Sequence, residues 1–248
     1  MMLMTGLATF RPTFSAVRDL AALPQPLTVS QGPAQPRIVC LPSFFGRSGP
    51  QEYARLAGRF QGVRPMSVLA EPGFRQGEPL PATLSGLVRV QADILSQSMD
   101  KFPVILLGHS SGGLVAHALT RHLEDSGRAP AGLVLLDTFA PPKKGLTGFH
   151  WSGLLDVALE HNSHDVDDDA WLTAMAHYFQ FDWHEIGTSD VPTLQVWATE
   201  PIPGVMEPPP RSRVGPSPAG PRPSRRPATT SRCSESMWTP PPPPSRCG

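Results

Sequence analysis

Residues 102–127 read FPVILLGHSSGGLVAHALTRHLEDSG, and three phases follow one another in that stretch. The apolar, β-prone run before Gly108 predicts a buried strand over Val104 to Leu107. After Gly112 the apolar residues fall three and four apart, which predicts a helix over Ser111 to Asp125. Between the two, Gly108-His109-Ser110-Ser111-Gly112 matches G-x-S-x-G, a pattern in which the chain turns sharply from strand into helix and leaves the serine hydroxyl exposed. Five residues of this kind also arise by chance in ordinary tight turns. The strand before and the helix after supply the context that makes Ser110 a candidate nucleophile.

Working outward, the same alternation recurs from Arg37 onward. Strands are predicted at Ile38 to Leu41, Val63 to Leu69, Val104 to Leu107, Gly132 to Leu136 and Thr193 to Trp197, and helices at Gln51 to Phe60, Leu84 to Met99 and Ser111 to Asp125. Strand and crossover helix in turn imply an α/β fold with a doubly wound, mostly parallel sheet. Between Pro141 and Asp190 the alternation stops, and helical patterns at Leu154 to His161 and Asp168 to Gln180 suit an inserted lid spanning about 141–190. The run Asp167-Asp168-Asp169 reads as the acidic, solvated start of the second of these helices. In the first thirty residues, Leu3, Leu7, Phe10, Phe14 and Val17 lie on one face of a helical segment that Pro12 must interrupt.

A serine nucleophile needs a base to take its proton and an acid to orient that base, both delivered at neighbouring strand ends. Asp137 directly follows the strand GLVLL, at the carboxyl edge of the sheet where sites of such folds form, and is the candidate acid. Glu200, just after TLQVWA, is the rival. For the oxyanion, the backbone N–H of Ser111 follows the nucleophile directly, and a second N–H is expected from the loop Pro42 to Gly46, with Ser43 the candidate.

Composition excludes several other classes. The formal net charge is zero and no Lys/Arg stripe appears, so nucleic acid is not an expected partner. The longest apolar run, Pro103 to Leu107, is far too short to span a bilayer, and the N-terminus carries no basic leader, which predicts a soluble, cytoplasmic protein. Three cysteines, Cys40, Cys233 and Cys247, form neither a disulfide framework nor metal-ligand spacing, and no metal or cofactor is expected.

IVCLPSFFGRSGPQEYARLAGRF (38–60), AEPGFRQGEPLPATLSGLVRVQADIL (70–95), the elbow stretch above and LVLLDTFAPP (133–142) together resemble the terminal thioesterases of macrolide-type modular polyketide synthases, of the α/β-hydrolase superfamily. The resemblance runs from about Pro36 to Pro201. It implies an α/β-hydrolase thioesterase domain over 31–200, with the acid straight after GLVLL at Asp137. It implies as substrate a polyketide acyl chain carried on the phosphopantetheine arm of an acyl carrier protein, passed to Ser110 and released by hydrolysis or macrolactone formation. Such domains pair through N-terminal apolar helices, which gives the 1–30 segment a meaning as a homodimer contact. Two alternatives stay open: a stand-alone editing thioesterase or general esterase, and a non-catalytic remnant that binds a carrier protein.

The resemblance also implies a catalytic histidine after one more strand, in a motif G-D-H-F-x-M followed by a C-terminal helix. No histidine lies beyond His184. After Pro201 the composition breaks: 15 of the 31 prolines fall in the last 48 residues, which hold no leucine, phenylalanine or tyrosine, so no element there can bury itself. A proline-rich disordered tail is one reading of 201–248, and a shifted reading frame is the other. Read from the third base of each codon, Arg226 to Cys233 can spell P-G-D-H-F-T-M, the aspartate bridging Ala228 and Thr229 and the histidine bridging Thr229 and Thr230. The single codons of Met237 and Trp238 force valine and then aspartate in that frame. The expectation is a frameshift near Pro203 to Val205 that removes the general base.

Overall fold

Five of the strands are short apolar runs closed by turn residues, and they assemble side by side because only the middle of a sheet can bury both faces of such runs. The computed structural model describes residues 6–21, 24–45, 49–99, 102–139, 169–183 and 186–199, all within the compact unit Met1–Pro216. In chain order the strands are β1 (Thr13–Phe14), β2 (Leu27–Ser30), β3 (Arg37–Leu41), β4 (Met66–Val68), β5 (Leu80–Pro81), β6 (Val104–His109), β7 (Gly132–Leu136) and β8 (Thr193–Val196). The helices are α1 (Ala54–Phe60), α2 (Leu84–Met99), α3 (Ser111–Asp125) and α4 (Asp169–Tyr178).

The main sheet runs β2-β4-β3-β6-β7-β8, with β2 antiparallel and every other neighbouring pair parallel. Alternation along β3 shows how the two faces are filled. Val39 and Leu41 enter a large core with Leu87, Val115, Leu119 and the aromatic side chains near α4, while Ile38 and Cys40 enter a second core with Tyr53, Ala57, Met66 and Val68 on the α1 side. Cys40 is fully buried, and desolvation pushes its thiol far above the usual range, which removes it as a nucleophile. The expected α/β-hydrolase architecture is therefore present, with helices on both faces of a mostly parallel sheet.

Three departures from the sequence reading have physical causes. After the break expected at Pro12 the N-terminal segment continues as the short strand β1 rather than as helix, and Leu3 lies outside the described residues. Residues 13–14 pair in parallel with Leu80–Pro81, Phe14 turns inward, and Leu7 and Phe10 stay solvent-facing. Arg11 fastens this segment, its guanidinium donating to the carbonyls of Gly73 (2.6 Å), Glu78 (2.7 Å) and Ala170 (2.8 Å). Next, the strand expected over Val63 to Leu69 shortens to Met66–Val68, because Gly62, at φ 77°, and exposed Val63 belong to the turn that leaves α1. Finally, the helix expected from Gln51 starts as a 3-10 turn, Pro50–Tyr53, since Pro50 lacks an N–H and opens the element.

Of the two lid helices, the second appears as α4, and Leu154 to His161 lies outside the described residues, as do Asp167 and Asp168. Glu200 and the tail 201–248 lie outside them as well. No helix among the described residues is long and apolar enough to cross a membrane.

Candidate active site

All the parallel strands end at one edge, and the residues that follow them converge there. Ser110 stands between β6 and α3 with φ 52° and ψ −125°. A non-glycine residue at positive φ costs of order 1–3 kcal/mol and persists only where its surroundings over-determine it. Those surroundings are visible: the Ser110 N–H donates to Leu136 O (2.8 Å), its carbonyl accepts from Gly113 N–H (3.1 Å), and Thr138 Oγ1 donates to the same carbonyl (3.1 Å).

The motif's glycines serve a different purpose from the one their place in a sharp turn suggests. The left-handed conformation is carried by the serine itself, and the glycines make room. A Cβ on Gly112 would sit 2.3 Å from the carbonyl oxygens of Leu41 and Pro42, and one on Gly108 would sit 2.4 Å from the carbonyl oxygen of Gly112. The first turn of α3 is thus pressed directly onto the loop after β3. Replacing the strained serine by the residue that adopts this conformation freely, Ser110→Gly, is expected to raise stability by about 1 kcal/mol while abolishing any serine chemistry. Thermal melting of the two proteins measures the difference.

Asp137 is the residue after β7, next to Ser110 on the neighbouring strand end, since the β6–β7 register pairs His109 with Leu136. It too has positive φ, 48°. Its N–H donates to Val196 O (2.7 Å), and its Oδ1 accepts from Ala198 N–H (3.2 Å), so both the backbone and the carboxylate are set by the end of β8. The structure brings Ser110 and Asp137 to one edge of the sheet, as the strand pattern requires.

The loop after β3 holds the two expected oxyanion residues close together. Ser111 occupies the first position of α3, where its N–H has no intrahelical acceptor. The Ser111 Oγ accepts from Phe44 N–H (3.0 Å) and lies 2.8 Å from Ser43 Oγ. The Ser43 N–H donates to Glu52 Oε2 at 3.1 Å, and Phe45 N–H donates to Ser43 Oγ at 3.0 Å. The Ser43 N–H is therefore committed to a carboxylate in this arrangement. Phe44 is fully buried: it stacks on Trp183 (5.2 Å between centroids, 12° between planes) and meets Phe179 edge-on (5.4 Å) and Tyr178 at a tilt (5.4 Å). Tyr178 OH in turn donates to Pro72 O (2.9 Å). An apolar wall joins α4 to the oxyanion loop and shields this side of the edge from water.

Glu52 is a residue that the sequence reading did not single out. Its Oε1 is hydrogen-bonded to Nδ1 of His109, the residue before the nucleophile. Nothing in the sequence signals the pair, because the two residues are 57 apart and meet only once β3 and β6 are side by side. The bond to Glu52 raises the His109 pKa against the opposing effect of burial, with Glu52 and Asp137 charge adding to the rise. The pair's contribution to stability is thus complete below the ordinary imidazole range and is lost as pH rises through the raised value.

The other described histidines sit elsewhere. His117 is buried within α3, and desolvation, followed by the Arg121 charge, lowers its pKa to about 4, so it is a neutral core residue. His122 is lowered as well, first by burial. His177 Nε2 lies 2.7 Å from Pro81 O. Among the described residues no histidine is hydrogen-bonded to Ser110, and no group of three His, Cys, Asp or Glu side chains is placed to hold a metal ion.

Residues 36–147 match the thioesterase-domain family. The chain is 43% identical over 204 residues to polyketide synthase GfsE of Streptomyces halstedii, a match covering 79% of this chain and 5% of that protein. It is 44% identical over 215 residues to the spectinabilin polyketide synthase system protein NorC of Streptomyces orinoci, covering 84% of this chain and 9% of that one. The chain thus spans less than a tenth of the length of these relatives. Among solved structures, the Vlm2 thioesterase domain bound with a dodecadepsipeptide superposes with a TM-score of 0.55 at 21% identity, over 73% of this chain and 80% of that one. YbtT, a type II thioesterase from the yersiniabactin pathway, superposes with 0.51 at 20% identity, over 69% and 77%. The likeness to both structures is one of fold. Residues 36–147 thus match a thioesterase domain, the homologues of the chain lie in polyketide synthase systems, and its fold is the α/β-hydrolase fold of the superposed thioesterases.

Proposed function

We propose that this domain removes a polyketide acyl chain from the phosphopantetheine arm of an acyl carrier protein by way of an ester on Ser110. The observation that carries the reading is the strained Ser110, held at positive φ between β6 and α3 beside Asp137. Serine Oγ attacks the thioester carbonyl and yields its proton to a base; the C–S bond breaks, and the phosphopantetheine sulfur leaves with a proton as the thiol. The N–H of Ser111, at the start of α3, is the donor to the oxyanion that forms meanwhile, whereas the Ser43 N–H expected beside it is taken by Glu52 Oε2. Water or a hydroxyl of the chain then accepts the acyl group, giving an acid or a lactone, and the aromatic wall around Phe44 favours the lactone by excluding water. The reaction asks for no cofactor beyond the substrate's own arm, and a cytoplasmic setting is part of the same reading.

Residues 201–248 as written offer no histidine for the base, and a frameshift near Pro203 to Val205 accounts for that. This absence favours a second reading, a remnant that still binds carrier protein. Pairing of two copies through the solvent-facing Leu7 and Phe10 belongs to the first reading. A fluorophosphonate followed by intact-protein mass measurement separates the two. The first reading expects one adduct, slowly formed in the chain as written, located on Ser110 and missing from Ser110→Ala. No adduct, together with retained carrier-protein binding, establishes the remnant, and an equal adduct in Ser110→Ala overturns the assignment of the serine.

A further inference from the structure

Glu52 is joined to both halves of the site, one oxygen to each. Oε1 meets His109 Nδ1 at the end of β6, and Oε2 accepts the Ser43 N–H of the loop after β3 at 3.1 Å. The next residue makes the same crossing through its phenol: Tyr53 OH donates to Leu41 O (2.7 Å) and accepts from His109 N–H (3.2 Å). Pro50 starts the 3-10 turn that places the two residues at this edge, and Tyr53 is fully buried as its anchor. The turn therefore acts as a strap across the ends of β3 and β6, with Tyr53 tying backbone to backbone and Glu52 tying the loop to an imidazole.

Resting on the reading of Ser110 as nucleophile, we propose that Glu52 is a positioning residue that couples the placing of the oxyanion loop to the protonation of His109, its two oxygens binding the two partners at once. A carboxylate shared by two donors transmits a change at one to the other. While His109 is charged, Glu52 is drawn to it and presents Oε2 to the Ser43 N–H. When the imidazole loses its proton, the charge-assisted bond weakens and the carboxylate is free to shift, carrying Ser43 and the adjoining Phe44 N–H with it.

The charged and titratable neighbours are few enough to name. His109 is faced by Glu52 from the 3-10 turn and by Asp137 from the end of β7. Glu52 is approached by Cys40 of β3, by Tyr53 and by Glu71 after β4. Cys40 and Tyr53 stay neutral because burial raises both well above the working range. Burial likewise raises the pKa of Glu71, which favours its neutral form, and the hydrogen bond to His109 Nδ1 comes from Glu52.

The coupling is read by NMR on the whole chain, with no need for turnover. The Ser43 amide proton and the His109 imidazole are expected to titrate with one shared midpoint, lying above that of an ordinary histidine. In Glu52→Gln the His109 midpoint falls and the Ser43 inflection disappears, because the amide can offer an oxygen to only one of the two donors. In His109→Gln, which keeps Glu52 and removes the titrating ring, the Ser43 inflection disappears too, and this second variant decides the matter if the first does not fold. A Ser43 amide without an inflection near neutral pH in the native chain, or one that survives in His109→Gln, overturns the proposal. A Ser110 that never reacts with fluorophosphonate while the shared midpoint is present counts against the acyl-enzyme reading and leaves the strap in place.

Discussion

Restoring the overlapping reading frame from codon 203 onward is expected to raise turnover of an acyl thioester by about 10⁶, the scale on which serine proteases lose kcat when their catalytic histidine is removed. Two independent features support this. One is chemical: the alternative frame can spell G-D-H-F across codons 227–231, which would add a histidine to the sheet edge where Ser110 and Asp137 meet. The other is structural. In the described residues the sheet ends at β8, where Leu194 is 58% exposed and Val196 44% exposed, whereas β3, β6 and β7 are buried by neighbours on both sides. A parallel strand with apolar residues in solvent is unusual, because such sheets normally occur with both faces covered. A further strand and helix encoded in the restored frame would cover these side chains. The restored protein is therefore expected to melt at a higher temperature as well as to turn over faster, and steady-state kinetics with a soluble acyl thioester, alongside calorimetry, read both. A restored chain no faster than the original would end the frameshift explanation.

How much of this could be read from the sequence depends on whether the signal was local. β7 was legible to its last residue because GLVLL is an apolar run between turn residues, and α2 and α3 because their apolar residues repeat three and four apart over fifteen or more positions. β2 was missed: LTVS is short, its pattern is mostly exposed, and its antiparallel pairing with β4 is a long-range choice. β1 and β5 were missed because two residues cannot carry a period. The placing of Ser110 and Asp137 at one sheet edge was legible because each follows its strand immediately. The strain on Ser110 and the role of the glycines as space-makers were not legible, since G-x-S-x-G alone does not say which residue takes the left-handed conformation. Nor was the engagement of the Ser43 N–H by Glu52, which exists only when the 3-10 turn crosses the sheet edge. Local runs encode elements; the site's second layer is written in contacts between distant ones.

Asp137→Asn, made in the frame-restored protein, is expected to lower kcat by about 10⁴, the loss seen when the corresponding carboxylate of a serine protease becomes an amide that leaves the histidine in the wrong tautomer. The local structure makes this a clean substitution. Asparagine tolerates the positive φ of 48° at this position as well as aspartate does. Its side-chain oxygen can still accept the Ala198 N–H, and its own N–H can still donate to Val196 O. Fold and strand pairing should survive, so the loss reports the charge alone. Glu200→Gln is the companion, and a small effect there with a large one at Asp137 assigns the acid; the reverse pattern moves the role to Glu200. The same change in the chain as written gives a sharper test, because an acid whose task is to orient an imidazole has nothing to orient when the imidazole is missing. There Asp137→Asn should leave the slow labelling of Ser110 nearly unchanged. Groups that act as one unit show this non-additivity, and independent contributions would not. A full 10⁴ loss in both backgrounds would mean that Asp137 acts on Ser110 without a histidine between them, and would overturn the triad reading.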